Sequence, residues 1–256
     1  MEFARYLQRI SYTGPLDPCL EVLSHLQRAH LYHIPFENLD IHSGTPILLD
    51  LDRIFTKVVA NHRGGFCYEL NGLFVELLSF LGFQVKRIAA QVYNPGSGLY
   101  GHPYDHLAIV AELEGEEYLT DVGFGEFAQG PLKLETGLIQ EDVRGRFRIT
   151  EENDFLIVQK EIKGEFVPEY TFQNIGRAYQ EYASMCSYHQ TDPNSHFTQK
   201  RLISLPTEKG RITLSGNVLK ISQEETVEES ILSGEAEFHA MLWKYFRVRL
   251  NKPTES

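Results

Sequence analysis

Cys67 has the clearest setting in this sequence for nucleophilic chemistry. It follows Gly64, Gly65 and Phe66 and opens an apolar stretch, which predicts a tight turn at the glycines and Cys67 in the first turn of a helix. Free backbone N–H groups and the positive end of the helix dipole favour a thiolate there, lowering a thiol pKa that is ordinarily about 8.5. The same N–H groups could stabilise an oxyanion when the thiolate attacks a carbonyl. A buried structural cysteine is the alternative.

A base and an orienting acid are predicted on one hairpin further along the chain. His106 begins the first of two β-rich segments, Asp121 ends the second, and Glu114-Gly115 lies between them. Pairing across a two-residue turn at Glu114-Gly115 puts His106 and Asp121 on the same face of the ladder. With Cys67 they form a Cys-His-Asp triad, in which the acid orients the base and the base activates the thiol. Taken singly, His106 could be a solvated strand residue and Asp121 a turn residue.

A zinc site is the alternative use of the same side chains. His102 lies four residues before His106, so Cys67, His102, His106 and Asp121 could in principle bind zinc. His102 is surrounded by loop-forming residues, however, and no two of these ligands lie close together on a helix. The sequence therefore favours the triad and predicts no metal.

Composition restricts the partners. The sequence has 24 Lys and Arg against 35 Asp and Glu, and its net charge of −11 repels nucleic acid. No apolar run is long enough to cross a bilayer and the first residues lack a secretory pattern, so we expect a soluble, cytoplasmic protein without membrane association. The three cysteines are widely spaced and form no C-x-x-C, which leaves Cys19 and Cys186 as structural residues.

Periodicity predicts the elements that position these residues. Apolar stripes indicate helices over 20–30, 50–61 and 67–81, the last ended by Gly82. Strands are predicted over 85–93, 107–113, 118–122, 147–150, 155–161 and 166–172. A short helix over 175–185, strands over 201–205, 211–214 and 218–221, and a helix over 233–246 follow. Helices first, then antiparallel strands, then a small mixed tail indicate an α+β fold.

These motifs resemble the arylamine N-acetyltransferase family. The similarity rests on Ile34-Pro-Phe-Glu-Asn-Leu39, on Arg63-Gly-Gly-Phe-Cys-Tyr-Glu-Leu-Asn71, on His106 at a strand start and on Asp121-Val-Gly-Phe-Gly125. The stretch from Tyr6 to Gly14 and Pro193-Asn-Ser-His-Phe197 are also similar to family landmarks, so recognisable features run from about residue 6 to residue 197.

The resemblance implies three domains around a cysteine-protease-like catalytic core. These are a helical bundle over 1–83 with the nucleophile, an antiparallel β-barrel over 84–194 with the base and acid, and an α/β lid over 195–256. It also implies that Cys67 is acylated, that His106 is its base and that Asp121 orients His106. Phe36, Phe124 and Phe197 are implied to line a pocket for an aromatic acceptor.

The implied reaction moves an acetyl group from acetyl-CoA, as co-substrate, to an arylamine, hydrazine or N-hydroxyarylamine. It runs by a ping-pong mechanism through acetyl-Cys67, as in xenobiotic metabolism. The same triad would serve a thiol hydrolase, with water as the acceptor, or an amide-forming synthase, with a carrier-bound acyl chain as the donor. A non-catalytic binding module would instead have an unreactive Cys67.

Overall fold

The computed structural model describes residues 1–250, which form eight α-helices and fourteen strands. The helices are α1 Phe3–Arg9, α2 Leu20–His33, α3 Leu39–His42, α4 Leu51–Phe55, α5 Cys67–Phe80, α6 Ala183–Thr191, α7 His196–Gln199 and α8 Glu235–Met241. The strands are β1 Phe36–Glu37, β2 Gln84–Asn94, β3 Leu99–Tyr100, β4 His106–Leu113, β5 Glu116–Thr120, β6 Leu132–Lys133, β7 Ile139–Asp142, β8 Gly145–Glu152, β9 Phe155–Ile162, β10 Glu165–Phe172, β11 Leu202–Thr207, β12 Gly210–Ser215, β13 Val218–Gln223 and β14 Thr226–Ile231.

The N-terminal helices pack around α5, which is the central helix of the first hydrophobic core. The helices predicted over 20–30, 50–61 and 67–81 are confirmed as α2, α4 and α5, and a π-helical turn over Thr56–Ala60 continues α4. The Asp50 carboxylate caps α4 by accepting from the N–H groups of Asp52 and Arg53 at 3.1 Å. Most of α5 is buried on every side, so its position is fixed by packing all around it.

Eight central strands form an antiparallel sheet in the order β6-β5-β4-β2-β10-β9-β8-β7. The sheet curls until its edge strands approach each other. The Gln140 side chain on β7 accepts from the Lys133 backbone N–H on β6 at 2.7 Å and donates to the Lys133 carbonyl at 3.0 Å. The result is a nearly closed barrel with its own apolar core, and the predicted α+β fold is confirmed.

The β4–β5 hairpin has the predicted two-residue turn. Glu114 and Gly115 both adopt positive φ, at 53° and 81°, as a type I′ turn requires. The ladder is shorter than predicted, because it ends at the Ile109–Thr120 pair and Asp121 lies beyond β5. Beyond that pair the chain leaves the sheet and turns towards α5.

A second sheet has the order β1-β11-β12-β13-β14 and packs against α8. Its first strand comes from the N-terminal part of the chain, with Phe36 opposite Ser204 and Glu37 opposite Ile203. The helix predicted over 233–246 is confirmed as α8 and the π-helical turn Leu242–Phe246 that continues it. The strand β14 was not predicted, because all six of its residues are exposed and it has no apolar alternation.

The helix predicted over 175–185 is wrong in its position. The Arg177 N–H donates to the Arg87 carbonyl on β2 at 2.9 Å. This segment therefore runs along the barrel and does not form a helix. A 3₁₀ turn starts at Tyr179, and α6 then runs to Thr191, shortly before Pro193.

The domain boundaries at residues 83 and 194 stay a prediction. Across residues 1–250 we find no helix with the length and apolar character to span a bilayer.

Candidate active site

Cys67 is the first residue of α5 and is only 3% exposed. The preceding residue, Phe66, has an extended backbone, and its N–H donates to the Glu69 carboxylate at 3.1 Å, which fixes the start of the helix. The predicted role of the glycines differs from the observed one, since neither Gly64 nor Gly65 adopts a positive φ. A side chain at Gly64 would collide with the Pro35 carbonyl oxygen. This position therefore requires glycine for close packing and not for a special turn.

His106 and Asp121 form a buried pair. Nε2 of His106 lies 2.6 Å from Oδ2 of Asp121, and the two side chains are 2% and 0% exposed. His106 and Asp121 are in contact although neither is paired in the β4–β5 ladder. The chain after β5 runs towards the first residue of β4, which is His106. Since Nε2 faces the carboxylate, Nδ1 is the ring nitrogen that is left for chemistry with a thiol.

Three further groups bind the Asp121 carboxylate. Oδ1 accepts from the Asn71 amide and from the Gly123 N–H, both at 2.8 Å. Oδ2 accepts from the Tyr170 hydroxyl at 3.2 Å in addition to His106. A carboxylate with four donors around it is held firmly as an acceptor, so the imidazole beside it has a fixed orientation.

The pKa of the Cys67 thiol differs from the prediction. Burial raises this pKa well above its ordinary value, and the nearby carboxylates of Asp121 and Asp105 raise it further. A hydrogen bond from the Leu107 backbone N–H lowers the pKa but does not outweigh burial. The position at the helix start therefore does not by itself make a thiolate, and the thiol needs a base that becomes positively charged next to it.

Cys67 and His106 line one cavity of about 330 Å³, together with all three aromatic residues of the predicted pocket. The rings of Phe36 and Phe197 lie 5.9 Å apart, and Phe124 packs edge-on against His106 at 5.1 Å between centroids. The five predicted residues that face this cavity therefore meet at one place, with Asp121 behind His106. A larger cavity of about 470 Å³ lies elsewhere and contains neither Cys67 nor His106.

Several residues of this region were missed by the sequence analysis. Arg211 on β12 lines the cavity. Its Nε lies 3.1 Å from a Glu126 carboxylate oxygen, and its guanidinium donates to the Gly125 carbonyl. Burial lowers the pKa of Arg211 to about 10. No local pattern identifies Arg211, since only the tertiary fold brings β12 to this loop. Asn71, in contrast, lies four residues after Cys67, and helical spacing could have identified it.

The fourth member of the alternative zinc set is placed differently. The His102 ring packs edge-on against Tyr188, with 5.2 Å between centroids, and it does not line the cavity. In the part of the chain that the structure describes, no three His, Cys, Asp or Glu side chains converge as metal ligands.

A buried ion cluster lies behind the start of α5, formed by Glu37, Asp40, Lys57, Arg63 and Glu69. Lys57 contacts Asp40 and Glu69, each at 2.8 Å, and Arg63 contacts Glu37 at 2.8 Å and Asp40 at 2.6 Å. Burial opposes ionisation of Asp40, but the two cations outweigh it and hold the pKa of this carboxyl below its usual value. The cluster joins β1, α3 and the π-helical turn to the helix that carries Cys67.

Asn38 attaches the second sheet to this region. Its side-chain amide donates to the Phe197 carbonyl at 2.9 Å and to the Lys200 carbonyl at 3.0 Å. Its side-chain oxygen accepts from the Leu202 N–H at 2.6 Å. One buried side chain thus fixes the segment that brings Phe197 to the cavity.

Known proteins match nearly the whole chain. A family model described as N-acetyltransferase matches residues 19–254. Arylamine N-acetyltransferase, pineal gland isozyme NAT-10, of Gallus gallus is 31% identical over 98% of this chain and 96% of its own. The solved structure of arylamine N-acetyltransferase from M. tuberculosis is 31% identical with a TM-score of 0.90, covering 97% of this chain and 94% of that one. The Mycobacterium marinum arylamine N-acetyltransferase, solved in complex with CoA, is 32% identical with a TM-score of 0.88, covering 96% and 93%.

Proposed function

This chain belongs to the arylamine N-acetyltransferase family, and from that premise we propose that Cys67 carries an acetyl group from acetyl-CoA to an aromatic amine or hydrazine. The observation that carries the proposal is the buried His106–Asp121 pair beside the cavity that contains Cys67. The CoA complex of the M. marinum relative supports a CoA thioester as the donor. The lining by Phe36, Phe124 and Phe197 supports an aromatic acceptor.

The first half of the reaction forms acetyl-Cys67. His106 takes the thiol proton on Nδ1, and the Cys67 thiolate attacks the thioester carbonyl. The bond between the acetyl carbon and the CoA sulfur then breaks, and the imidazolium returns the proton to the departing thiolate. Because burial raises the pKa of Cys67, the thiolate is stabilised only while His106 is positively charged. Asp121 supports that charge through its bond to Nε2.

The second half transfers the acetyl group to nitrogen. The amine attacks the carbonyl of acetyl-Cys67, its proton passes to His106, and the Cys67 thiolate leaves as the amide forms. Aromatic amines suit this step because they are neutral nucleophiles at pH 7, whereas alkylamines are protonated. The apolar cavity limits access of water, so transfer can outrun hydrolysis.

We further propose that the enzyme works in the cytoplasm on foreign aromatic amines. Cys19, Cys67 and Cys186 are all free thiols, and a nucleophilic thiol requires a reducing compartment. A cavity with three phenylalanines in its lining can hold an aromatic ring by its shape, which suits varied aromatic substrates.

Release of free CoA from acetyl-CoA tests the proposal. We expect release by the wild type in the presence of a simple arylamine, no release by Cys67→Ala, and a single added acetyl group on Cys67 by intact mass when the amine is omitted. Release that requires Cys67 but ignores the amine would support a thiol hydrolase. Absence of release by the wild type would exclude acetyl-CoA as the donor and support an amide-forming synthase with another acyl carrier.

A further inference from the structure

We propose that Asn71 is a positioning residue for the triad, which holds Asp121 and the start of β4 against the helix that carries Cys67. The inference rests on the function proposed above, because it assigns Asn71 to the same reaction. Asn71 is itself fully buried, and no part of it lines the cavity. It therefore acts through other residues and does not touch the substrate.

The helix places Asn71 beside the nucleophile. Asn71 and Cys67 are four residues apart in α5, so both point from the same face, one turn after the other. That face meets the end of the β4–β5 hairpin. The one helix can thus carry the nucleophile and also fix the residues that activate it.

The Asn71 amide uses both of its ends. Nδ2 donates to the Leu107 carbonyl at 2.6 Å and to Oδ1 of Asp121 at 2.8 Å. Its Oδ1 accepts from the Val122 N–H at 2.9 Å. Leu107 follows His106 and Val122 follows Asp121, so a single side chain contacts the neighbour of each partner in the triad.

The neutral amide satisfies all three contacts, and an ionised carboxylate cannot. Aspartate would keep the acceptor for Val122 but would replace the donor with a second carboxylate next to Asp121. Two carboxylates this close share one proton, because both cannot ionise side by side. Asn71 donates without bringing a charge, so Asp121 stays available as the acceptor for His106.

The pH profile of Asn71→Asp tests this role. The introduced carboxyl can replace the amide donor only while the pair of carboxyls holds a proton. We expect near-normal reactivity of Cys67 at acid pH and a loss of about 10- to 100-fold at higher pH, which is the range known for residues that orient metal-binding histidines. The measurements are alkylation of Cys67 by iodoacetamide and its acetylation by acetyl-CoA, each from about pH 5 to about pH 9, with circular dichroism at every pH.

Asn174→Asp is the matched control. The Asn174 amide also donates to a carboxylate, that of Glu117 at 2.6 Å, but it lies away from the cavity. Its profile should follow that of the wild type. A profile of Asn71→Asp that keeps the wild-type shape, whether at full or reduced rate, would overturn the inference.

A second variant covers the case in which Asn71→Asp does not fold. Asn71→Ser introduces no charge and removes the long amide. It should slow single-turnover acetylation of Cys67 while leaving unchanged the acetyl-CoA concentration that gives half of the maximal rate. A wild-type acetylation rate in Asn71→Ser would contradict a positioning role. Failure of the proposed function is distinguishable, because the wild type itself would then not be acetylated, whereas the alkylation profiles would still report on Asn71.

Discussion

Gly123 lies directly against the α-carbon of Cys67. A Cβ at position 123 would come within 2.8 Å of both that carbon and the Asn71 amide nitrogen. The backbone N–H of Gly123 also donates to Asp121 at 2.8 Å. The loop after β5 can therefore bring the acid to the nucleophile only because this residue has no side chain.

Gly123→Ala should push the loop away from α5. We expect a loss of about 1–3 kcal/mol in the free energy of unfolding, as for overpacking in a core. The rate of Cys67 acetylation should fall by a larger fraction of its wild-type value than the free energy of unfolding does. Urea unfolding and intact mass at short reaction times measure the two effects. Gly125→Ala is the control, since a Cβ there meets no atom within 4 Å. Equal effects of the two substitutions would contradict this account.

The three residues that we predict as a triad could be selected from the sequence because each has a local signal. Cys67 stands at a helix start, and His106 and Asp121 stand at the two ends of a hairpin. Tyr170 and Arg211 have no such signal, since their partners are 49 and 86 residues away in the chain. The pKa of Cys67 was predicted in the wrong direction, because burial depends on the complete fold.

The ion cluster behind α5 shows how a helix start is held from outside the helix. Lys57 on the π-helical turn contacts Asp40 and Glu69, and Glu69 in turn accepts from the Phe66 N–H. Removal of Lys57 from this buried set would leave Glu69 without a cation and Asp40 with Arg63 alone. The position of Cys67 therefore depends on a lysine ten residues before it in the sequence.

Lys57→Met should cost about 3–5 kcal/mol in the free energy of unfolding, because the buried Glu69 loses its cation and Asp40 keeps only Arg63. Lys209→Met is the control, since Lys209 pairs with Glu224 on the surface, where both side chains are about 70% exposed. That change should stay within about 0.5 kcal/mol of the wild type. The free energies of unfolding of the wild type and the two variants are measured in urea. A small loss for Lys57→Met would show that the cluster is not essential for stability.

A β-bulge in β10 places Glu169 in a partly buried position. The register with β9 shifts between Pro168 and Tyr170, so Glu169 has no partner in the ladder. Burial raises the pKa of its carboxyl to about 7, with Lys160 opposing and Glu126 adding to the effect. The same shift in register directs Tyr170 to Asp121.

Glu169 should make the protein less stable as pH rises from about 4.5 to about 7. Over this range the unfolded chain has lost the proton and the folded chain retains it, so the free energy of unfolding falls. Glu169→Gln should therefore raise stability at pH 8 by about 1–3 kcal/mol and change little at pH 4.5. Thermal unfolding at both pH values measures this, with the exposed Glu165→Gln as the control. A gain that is equal at the two pH values would contradict a role for ionisation.

Elements with a clear apolar periodicity or a characteristic turn sequence could be predicted. Elements that depend on contacts between distant parts of the chain could not. The α5 stripe and the Glu114-Gly115 turn carry their own signals, and both were located correctly. The segment at 175–178 was predicted as a helix because its composition permits one. Its pairing with β2 through Arg177 is formed with a strand about ninety residues earlier, which a local pattern cannot indicate.

At the scale of the whole molecule, the second sheet is attached to the N-terminal helices through a short segment at the cavity. The two-residue strand β1 pairs with β11, and Asn38 makes three side-chain hydrogen bonds to the chain around α7. Neither contact was predictable, since the partners are more than 150 residues apart and the strand is too short to show alternation. The shape of the proposed acceptor pocket therefore depends on how firmly this sheet is held.

Asn38→Ala should loosen the segment that carries Phe197. We expect the KM for an arylamine to rise about tenfold, equivalent to about 1.4 kcal/mol, because the aromatic wall is less well placed. The rate of Cys67 acetylation should change little, since among the described residues Cys67, His106 and Asp121 make no hydrogen bond to this sheet. Steady-state kinetics with Asn194→Ala, in the exposed turn before α7, is the control. An increase in KM that is matched by an equal loss of acetylation would contradict a separate role for the segment.

Asn71 and Gly72 also form the dipeptide that is most prone to spontaneous deamidation, in which the next backbone nitrogen attacks the side-chain carbonyl. Both residues have structural roles, because Asn71 binds the hairpin and a Cβ at Gly72 would lie 2.5 Å from the Tyr179 hydroxyl. The helical backbone and full burial keep the attacking groups apart while α5 is folded. Each unfolding of α5 exposes the pair to ageing, and every deamidated molecule carries a carboxylate beside Asp121. We therefore expect deamidation at Asn71 to become faster under conditions in which the central helix opens more often.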